Sequence, residues 1–226
     1  MLGLMQDWPL LCQRVIEHAA REHGQRRVVS RTIAGPLRVT NYAEVHQRAM
    51  RVSRRLLAEG IALGDRIGTV AYSTSSHMEC WYGIAGIGAV YHPINPRLFS
   101  EQILFIVNDA KDRILFVDPA FISMLEQLAD QLHTVERYVI LADDGQLPAT
   151  TLRNAVAYET WLAEGEGDTS PWNDFDENTA ATLTYTSGTT GNPKGVLMSH
   201  RAIVLMSLAG SSSDMYGFSA RDRVLQ

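Results

Sequence analysis

The sequence predicts an α/β protein in which layered, largely parallel sheets are flanked by helices. Three observations carry that reading. Short runs of strand composition recur at 66–71 ("RIGTVA"), 113–117 ("RILFV") and 137–141 ("RYVIL"). Stretches with apolar residues at helical spacing lie before and between them. The two kinds alternate at lengths that suit crossover helices joining parallel strands.

Taken in order, Tyr42, Val45, Ala49, Val52, Leu56 and Leu57 recur at helical spacing. Asn41 and Glu44 stand in the N-cap and N3 relation of a capping-box variant, and Gly60 marks the stop. After the strand at 66–71 a helix is expected over 77–89, then a short strand "VYHPI" ended by Pro93. Ser100 is placed as the cap of a helix running through Asn108. The strand at 113–117 follows, Pro119 opens a helix to about Leu132, and 137–141 is the next strand. From 142 to 178 the pattern weakens and acids accumulate, so this stretch is expected to be an acidic, solvated connector with one short helix near 158–163. "TLTY" and "GVLM" then predict strands on either side of a loop, and a final helix runs from Ala202 to about Leu208. "RDRVLQ" reads as another strand opening, so 1–226 is expected to be the N-terminal part of a longer, truncated domain.

Composition narrows the function classes. At 226 residues the chain suits one large domain or two small ones, and 46% apolar with 20% charged residues is ordinary for a soluble globular protein. A net charge of −5 lacks the basic footprint of nucleic-acid binding and disfavours anionic lipid. Cys12 and Cys80 are too few for a disulfide framework, which predicts a reduced, cytoplasmic setting. The N-terminus has no basic n-region and is interrupted by Asp7, Gln13, Arg14 and Glu17, unlike a signal peptide. The longest apolar run, 80–91, is too short to span a bilayer and carries Gly83, Gly86 and Gly88, so it reads as a buried helix and no integral membrane segment is expected.

The chemistry concentrates at 183–200, "LTYTSGTTGNPKGVLMSH". Gly188 and Gly191 free the backbone to approach a ligand. Thr186, Ser187, Thr189 and Thr190 offer hydroxyls that donate to phosphate oxygens or meet a hard cation such as Mg²⁺. Lys194, one of only two lysines with Lys111, adds a point charge suited to a polyphosphate, and successive N–H groups can form an anion nest. Pro193 stiffens the exit. The segment is not a Walker A loop, because Lys194 follows Pro193 and precedes Gly195. A plain polar turn would rarely hold these residues in this order. The parts fit a grip on the β- and γ-phosphates of a nucleotide.

"YTSGTTGNPKGV" resembles the phosphate loop of the adenylate-forming enzymes: acyl-CoA synthetases, luciferases and peptide-synthetase adenylation domains. "NYAEV" at 41–45 is similar to the family's early Thr-Tyr-x-Glu-Leu block, with Asn41 replacing Thr. "LAEGIALGDRIGTVA" at 57–71 and "YGIAGIGAVYHPINPRL" at 82–98 are similar to its next two blocks. The stretch 91–118 looks most like the fatty-acid–CoA ligase branch, including members acting on medium-chain or short sulfur-containing carboxylates. The resemblance implies that a carboxylate attacks ATP to give an acyl-adenylate and pyrophosphate, and that CoA then displaces AMP. It implies that Thr186, Ser187, Gly188, Thr189, Thr190, Gly191 and Lys194 hold the pyrophosphate portion of ATP, with Thr186 also a Mg²⁺ ligand. It also raises a homodimer through the N-terminal segment. The family's later motifs, including a Mg²⁺-binding Glu, a ribose-binding Asp and a C-terminal catalytic Lys, do not occur by Gln226. No catalytic residue is therefore expected here, and the chain alone is expected to be inactive.

Two alternatives stay open: an adenylation domain that passes the acyl group to a carrier protein, and a stand-alone nucleotide-binding module without catalysis. Lesser motifs have plainer readings. His77 and Glu79 have zinc-deaminase spacing but no Pro-Cys-x-x-Cys follows. Gly86 and Gly88 start like a dinucleotide fingerprint, but Tyr91 stands where the third glycine belongs, so close helix packing explains them better. Ser199 is expected to cap the last helix and His200 to anchor the turn. Trp8, Trp81, Trp161 and Trp172 read as core or edge packing.

Overall fold

A computed structural model describes residues 1, 3, 5, 7–31, 37–142, 146–167, 169–186 and 192–225. After helix α1 (Gln13–His23), strands β1 (Arg27–Arg31) and β2 (Leu37–Asn41) form a separate antiparallel ribbon with Val29 opposite Val39. Neither α1 nor this ribbon is anticipated above. Helix α2 (Tyr42–Ala58) starts as predicted, since the Asn41 side chain accepts from the Glu44 N–H at 2.9 Å.

The main sheet is assembled from β3 (Arg66–Val70), β4 (Val90–Pro93), β5 (Ile114–Val117), β6 (Arg137–Ile140), β7 (Ala155–Ala157), β8 (Ala180–Thr186) and β9 (Lys194–Ser199). Its order is β7-β6-β5-β3-β4-β8-β9, parallel from β7 through β8 and antiparallel only at β9. The chain leaves β3 for β4 on one side and returns past it to β5 on the other. The intervening helices α3 (Ser75–Gly86) and α4 (Ser100–Ala110) therefore cover opposite faces. With α2 and α6 (Tyr158–Ala163), α3 packs on Ile67, Ile114 and Phe116. With α5 (Ile122–Glu126), α4 packs on Val70, Leu115 and Val117. The alternation along β5 is that of a strand buried on both faces.

Local differences from expectation have identifiable causes. Helix α4 begins at Ser100 with Phe99 in the cap position, because Gln102 Oε1 accepts from the Phe99 N–H. The single helix expected over 119–132 is broken into 3₁₀ turns at Pro119–Phe121 and Ala129–Gln131 around the short α5. The turns keep Ile122, Leu125, Leu128 and Leu132 buried without a continuous axis. Residues 221–225 form no strand.

The expected solvated connector at 142–178 is corrected in part. The short helix lies where predicted, but β7 adds a parallel edge strand, and Tyr158, Trp161, Leu162 and Trp172 are buried. Three of the acids that made the segment look solvated face arginines of α2: Glu159 meets Arg48, Glu164 meets Arg55 and Glu166 meets Arg51. Trp172 also explains a glycine. A Cβ at Gly86 would lie 2.1 Å from its Nε1, which donates to Ser53 Oγ at 2.7 Å. Gly83 does the same against α2, where a Cβ would meet Val52 at 2.6 Å. Close helix packing holds for Gly86, whereas Gly88 lies just past α3 with φ 73°, a left-handed turn into β4 that favours glycine.

Candidate nucleotide phosphate site

β8 lies inside the sheet beside β4, with Tyr91 opposite Thr182, and β9 folds back along its outer edge. The last pair of that ribbon is Thr186 with Lys194, both exposed. The strands flanking the motif are thus as predicted, and residues 187–193 bridge their ends. Ser187, Gly188, Thr189, Thr190 and Gly191 lie outside the described residues. Because β8 runs parallel to β3 through β7, the mouth formed by Thr186 and Lys194 opens at the carboxyl edge of the sheet. That edge is where open α/β folds bind ligands. Thr186 presents a hard oxygen there and Lys194 a cation, side by side on neighbouring strands.

The exit from β9 is tied to the chain's beginning. Helix α7 (His200–Gly210) starts at Ser199, whose Oγ accepts from the Ala202 N–H at 3.2 Å. His200 is fully buried, its Nδ1 accepting from the Cys12 N–H at 3.1 Å, with the Phe175 ring 5.0 Å away edge-on. The Leu10 N–H donates to Glu177, which also pairs with Arg201, and Arg14 reaches Asp174. Sequence reading placed His200 as an anchor of this turn but did not find its partner.

Burial lowers the His200 pKa from 6.5 to about 4, so the folded state holds a neutral ring. Its stabilising contribution is complete above the ordinary histidine pKa and is lost as pH falls from about 6.5 towards about 4, because the unfolded chain then binds the proton more readily. Replacing His200 by Gln is expected to flatten the melting temperature across that window. Parallel slopes for both proteins in thermal melts between those pH values would show that His200 is not the titrating group.

The remaining candidates are structural. His77 Nε2 lies 3.0 Å from Thr69 Oγ1 and 2.7 Å from the Tyr91 hydroxyl, while Glu79 is buried against Arg48, so the two share no site. Among the described residues no group of three or more His, Cys, Asp or Glu could hold a metal. Both cysteines are free and buried, with burial pushing Cys12 up to about 12, which makes neither a nucleophile. Trp161 and Trp172 are buried as expected, whereas Trp8 is half exposed under Arg14. No helix among the described residues is long and apolar enough to cross a membrane.

An α/β sheet of this order carries the hydroxyl- and glycine-rich motif at its carboxyl edge. The chain belongs to the AMP-binding enzyme family, which matches residues 16–226. It is 44% identical over its whole length to a 3-methylmercaptopropionyl-CoA ligase from Ruegeria pomeroyi, covering 42% of that protein. It is 40% identical over its whole length to a medium-chain-fatty-acid–CoA ligase from Ectopseudomonas oleovorans, covering 41% of it. Among solved structures, a long-chain-fatty-acid–CoA ligase from Archaeoglobus fulgidus superposes with a TM-score of 0.79 at 20% identity, over 98% of this chain and 43% of that one. The chain therefore spans less than half the length of these relatives and corresponds to their N-terminal portion.

Proposed function

We propose that this chain is the phosphate-gripping N-terminal portion of an acid–thiol ligase. The carboxylate oxygen attacks the α-phosphorus of ATP, pyrophosphate leaves, and the CoA thiol then displaces AMP to give the thioester. The observation that supports this most directly is the pairing of Thr186 with Lys194 at the mouth of the motif-bearing hairpin in an AMP-binding family member. Lys194 meets the β- and γ-phosphates, the loop N–H groups and hydroxyls of 187–191 orient them, and the leaving pyrophosphate is stabilised where its charge develops. The hydroxyl of Thr186 suits Mg²⁺ carried in on the triphosphate, which would neutralise part of its charge. Relatives named for a short sulfur-containing acid and for medium-chain fatty acids support an aliphatic carboxylate as substrate. A cytoplasmic enzyme that pairs as a homodimer through its N-terminal segment completes the reading.

Carboxylate-dependent ATP–pyrophosphate exchange tests it. The full-length protein is expected to exchange pyrophosphate with short- or medium-chain acids, and residues 1–226 alone are expected to give none. Exchange by the short chain would mean that the adenylation machinery is complete within it. Acyl transfer to a carrier-protein thiol in place of CoA would reassign the second step only.

A further inference from the structure

We infer that Tyr185 is a positioning residue for the phosphate loop, clamped between α4, β4 and β9 so that the neighbouring Thr186 and Lys194 stay paired. The inference rests on the phosphate-loop reading and adds the device that holds that loop's base. Tyr185 immediately precedes Thr186 and pairs with Gly195, one step inside the Thr186–Lys194 pair. The terminal pairs of a ribbon are the ones that fray, so a side chain gripping the penultimate pair decides whether the mouth keeps its shape.

Three elements converge on the Tyr185 ring. Its hydroxyl donates to Asp109 Oδ2 of α4 at 2.6 Å. Its ring lies tilted by 50° against His92 of β4, with centroids 5.3 Å apart. On the other side lies Gly195 of β9, where a Cβ would come within 3.3 Å of Tyr185 Cζ and 3.0 Å of Leu183 Cδ1. The glycine of the Pro-Lys-Gly run thus leaves space for this ring, in addition to any role facing a ligand.

The clamp is itself fixed. His92 Nδ1 lies 2.7 Å from Asp112 Oδ2, and both side chains are fully buried. Asp109 and Asp112 flank the end of α4, where Lys111 adopts a left-handed conformation with φ 56°. That reversal lets one acid reach out to Tyr185 while the other turns under β4 to His92. The Asp112 N–H donates to Val107 O, and Thr134 Oγ1 donates to Asp112 O, which hold the turn in place. Burial and the nearby Asp109 both raise the Tyr185 pKa, so the phenol remains a donor at any working pH. Two short hydrogen bonds, His92–Asp112 and Tyr185–Asp109, and the ring contact between His92 and Tyr185 make up the path.

The test uses the full-length protein and binding calorimetry with MgATP, inorganic pyrophosphate and AMP. Tyr185→Phe and Asp109→Asn are each expected to weaken MgATP and pyrophosphate by about three- to tenfold, the loss of one charge-assisted hydrogen bond at an open site. AMP, which lacks the β- and γ-phosphates, is expected to bind as in the parent. The double variant is expected to be no weaker than either single one, since both remove the same bond. Gly195→Ala is expected to give a similar loss by displacing the ring; should it fail to fold, the other two variants decide the matter. Equal weakening of AMP, or loss of ATP affinity only in step with a fall in melting temperature, would reduce Tyr185 to packing and overturn the inference. Unchanged ATP and pyrophosphate binding in both variants, alongside weakened binding in Lys194→Ala, would overturn the clamp and leave the phosphate reading standing. Unchanged binding in Lys194→Ala as well would remove the phosphate reading, and the clamp's purpose with it.

Discussion

Replacing Lys194 by alanine in the full-length protein is expected to lower kcat/KM for ATP by about a hundredfold while moving the melting temperature by no more than about 2 °C. Lys194 is exposed at the first position of β9, opposite Thr186, so its removal opens no cavity. In the proposed reading, what it takes away is a cation beside the triphosphate. The loss should therefore appear in ATP and pyrophosphate kinetics and not in the KM for the carboxylate. The chain supplies its own control in Lys111, its only other lysine. Lys111→Asn keeps a residue that tolerates the left-handed conformation there and is expected to leave ATP kinetics unchanged. Equal ATP kinetics for Lys194→Ala and the parent would take Lys194 out of the site.

The second large effect lies away from the loop, on stability. Arg48→Ala is expected to cost about 3–5 kcal/mol in urea unfolding, the usual penalty for stranding one member of a buried ion pair. Arg48 Nε donates to Glu79 Oε2 at 2.9 Å, and its NH2 donates to Glu159 Oε1 at 2.6 Å, with the guanidinium 5.6 Å from the Tyr158 ring centroid. Glu79 is fully buried, and burial pushes its carboxyl pKa up while Arg48 pulls it back. Tyr158 also donates to Glu79 Oε2 at 2.8 Å. With the guanidinium gone, Glu79 keeps only the more distant Arg38, 3.9 Å away, as a charge partner, and must stay poorly compensated or take up a proton. The combined variant Arg48→Met, Glu79→Leu, Tyr158→Phe removes Glu79 and the two groups hydrogen-bonded to it, leaves Arg38 to pair with Glu159, and is expected to recover most of the loss. If it proves less stable than Arg48→Ala alone, the network stabilises the fold in its own right.

Much of this fold was legible because its strongest signals are local. The cap of α2 is set by a residue pair three apart, and β3, β5 and β6 are short runs whose composition alone marks them. The phosphate motif is contiguous, so the strands around it could be placed before any tertiary contact was known. The unread parts depend on partners distant in sequence. Trp172 was read as packing, but its partners, Gly86 and Ser53, lie far away in sequence. His200 was read as an anchor, but Cys12, the group that it anchors, is 188 residues away. Tyr185 sat inside the motif unremarked, because its meaning comes from Asp109, His92 and Gly195 on three other elements. The ribbon of β1 and β2 alternates in burial, but its buried positions hold Ser30 and Thr40 while Val29, Leu37 and Val39 are exposed, so hydrophobic periodicity had nothing to detect.

The seam between residues 10–14 and 174–201 also dictates a timetable. Leu10 bonds across 167 residues and Cys12 across 188, so the first helix cannot reach its final place until almost all of this chain exists. At ribosomal speeds of about 5–20 residues per second, that interval is roughly ten to forty seconds. During it, the central strands can assemble while residues 10–14 wait undocked, and their docking is a long-range closure onto the helix leaving β9.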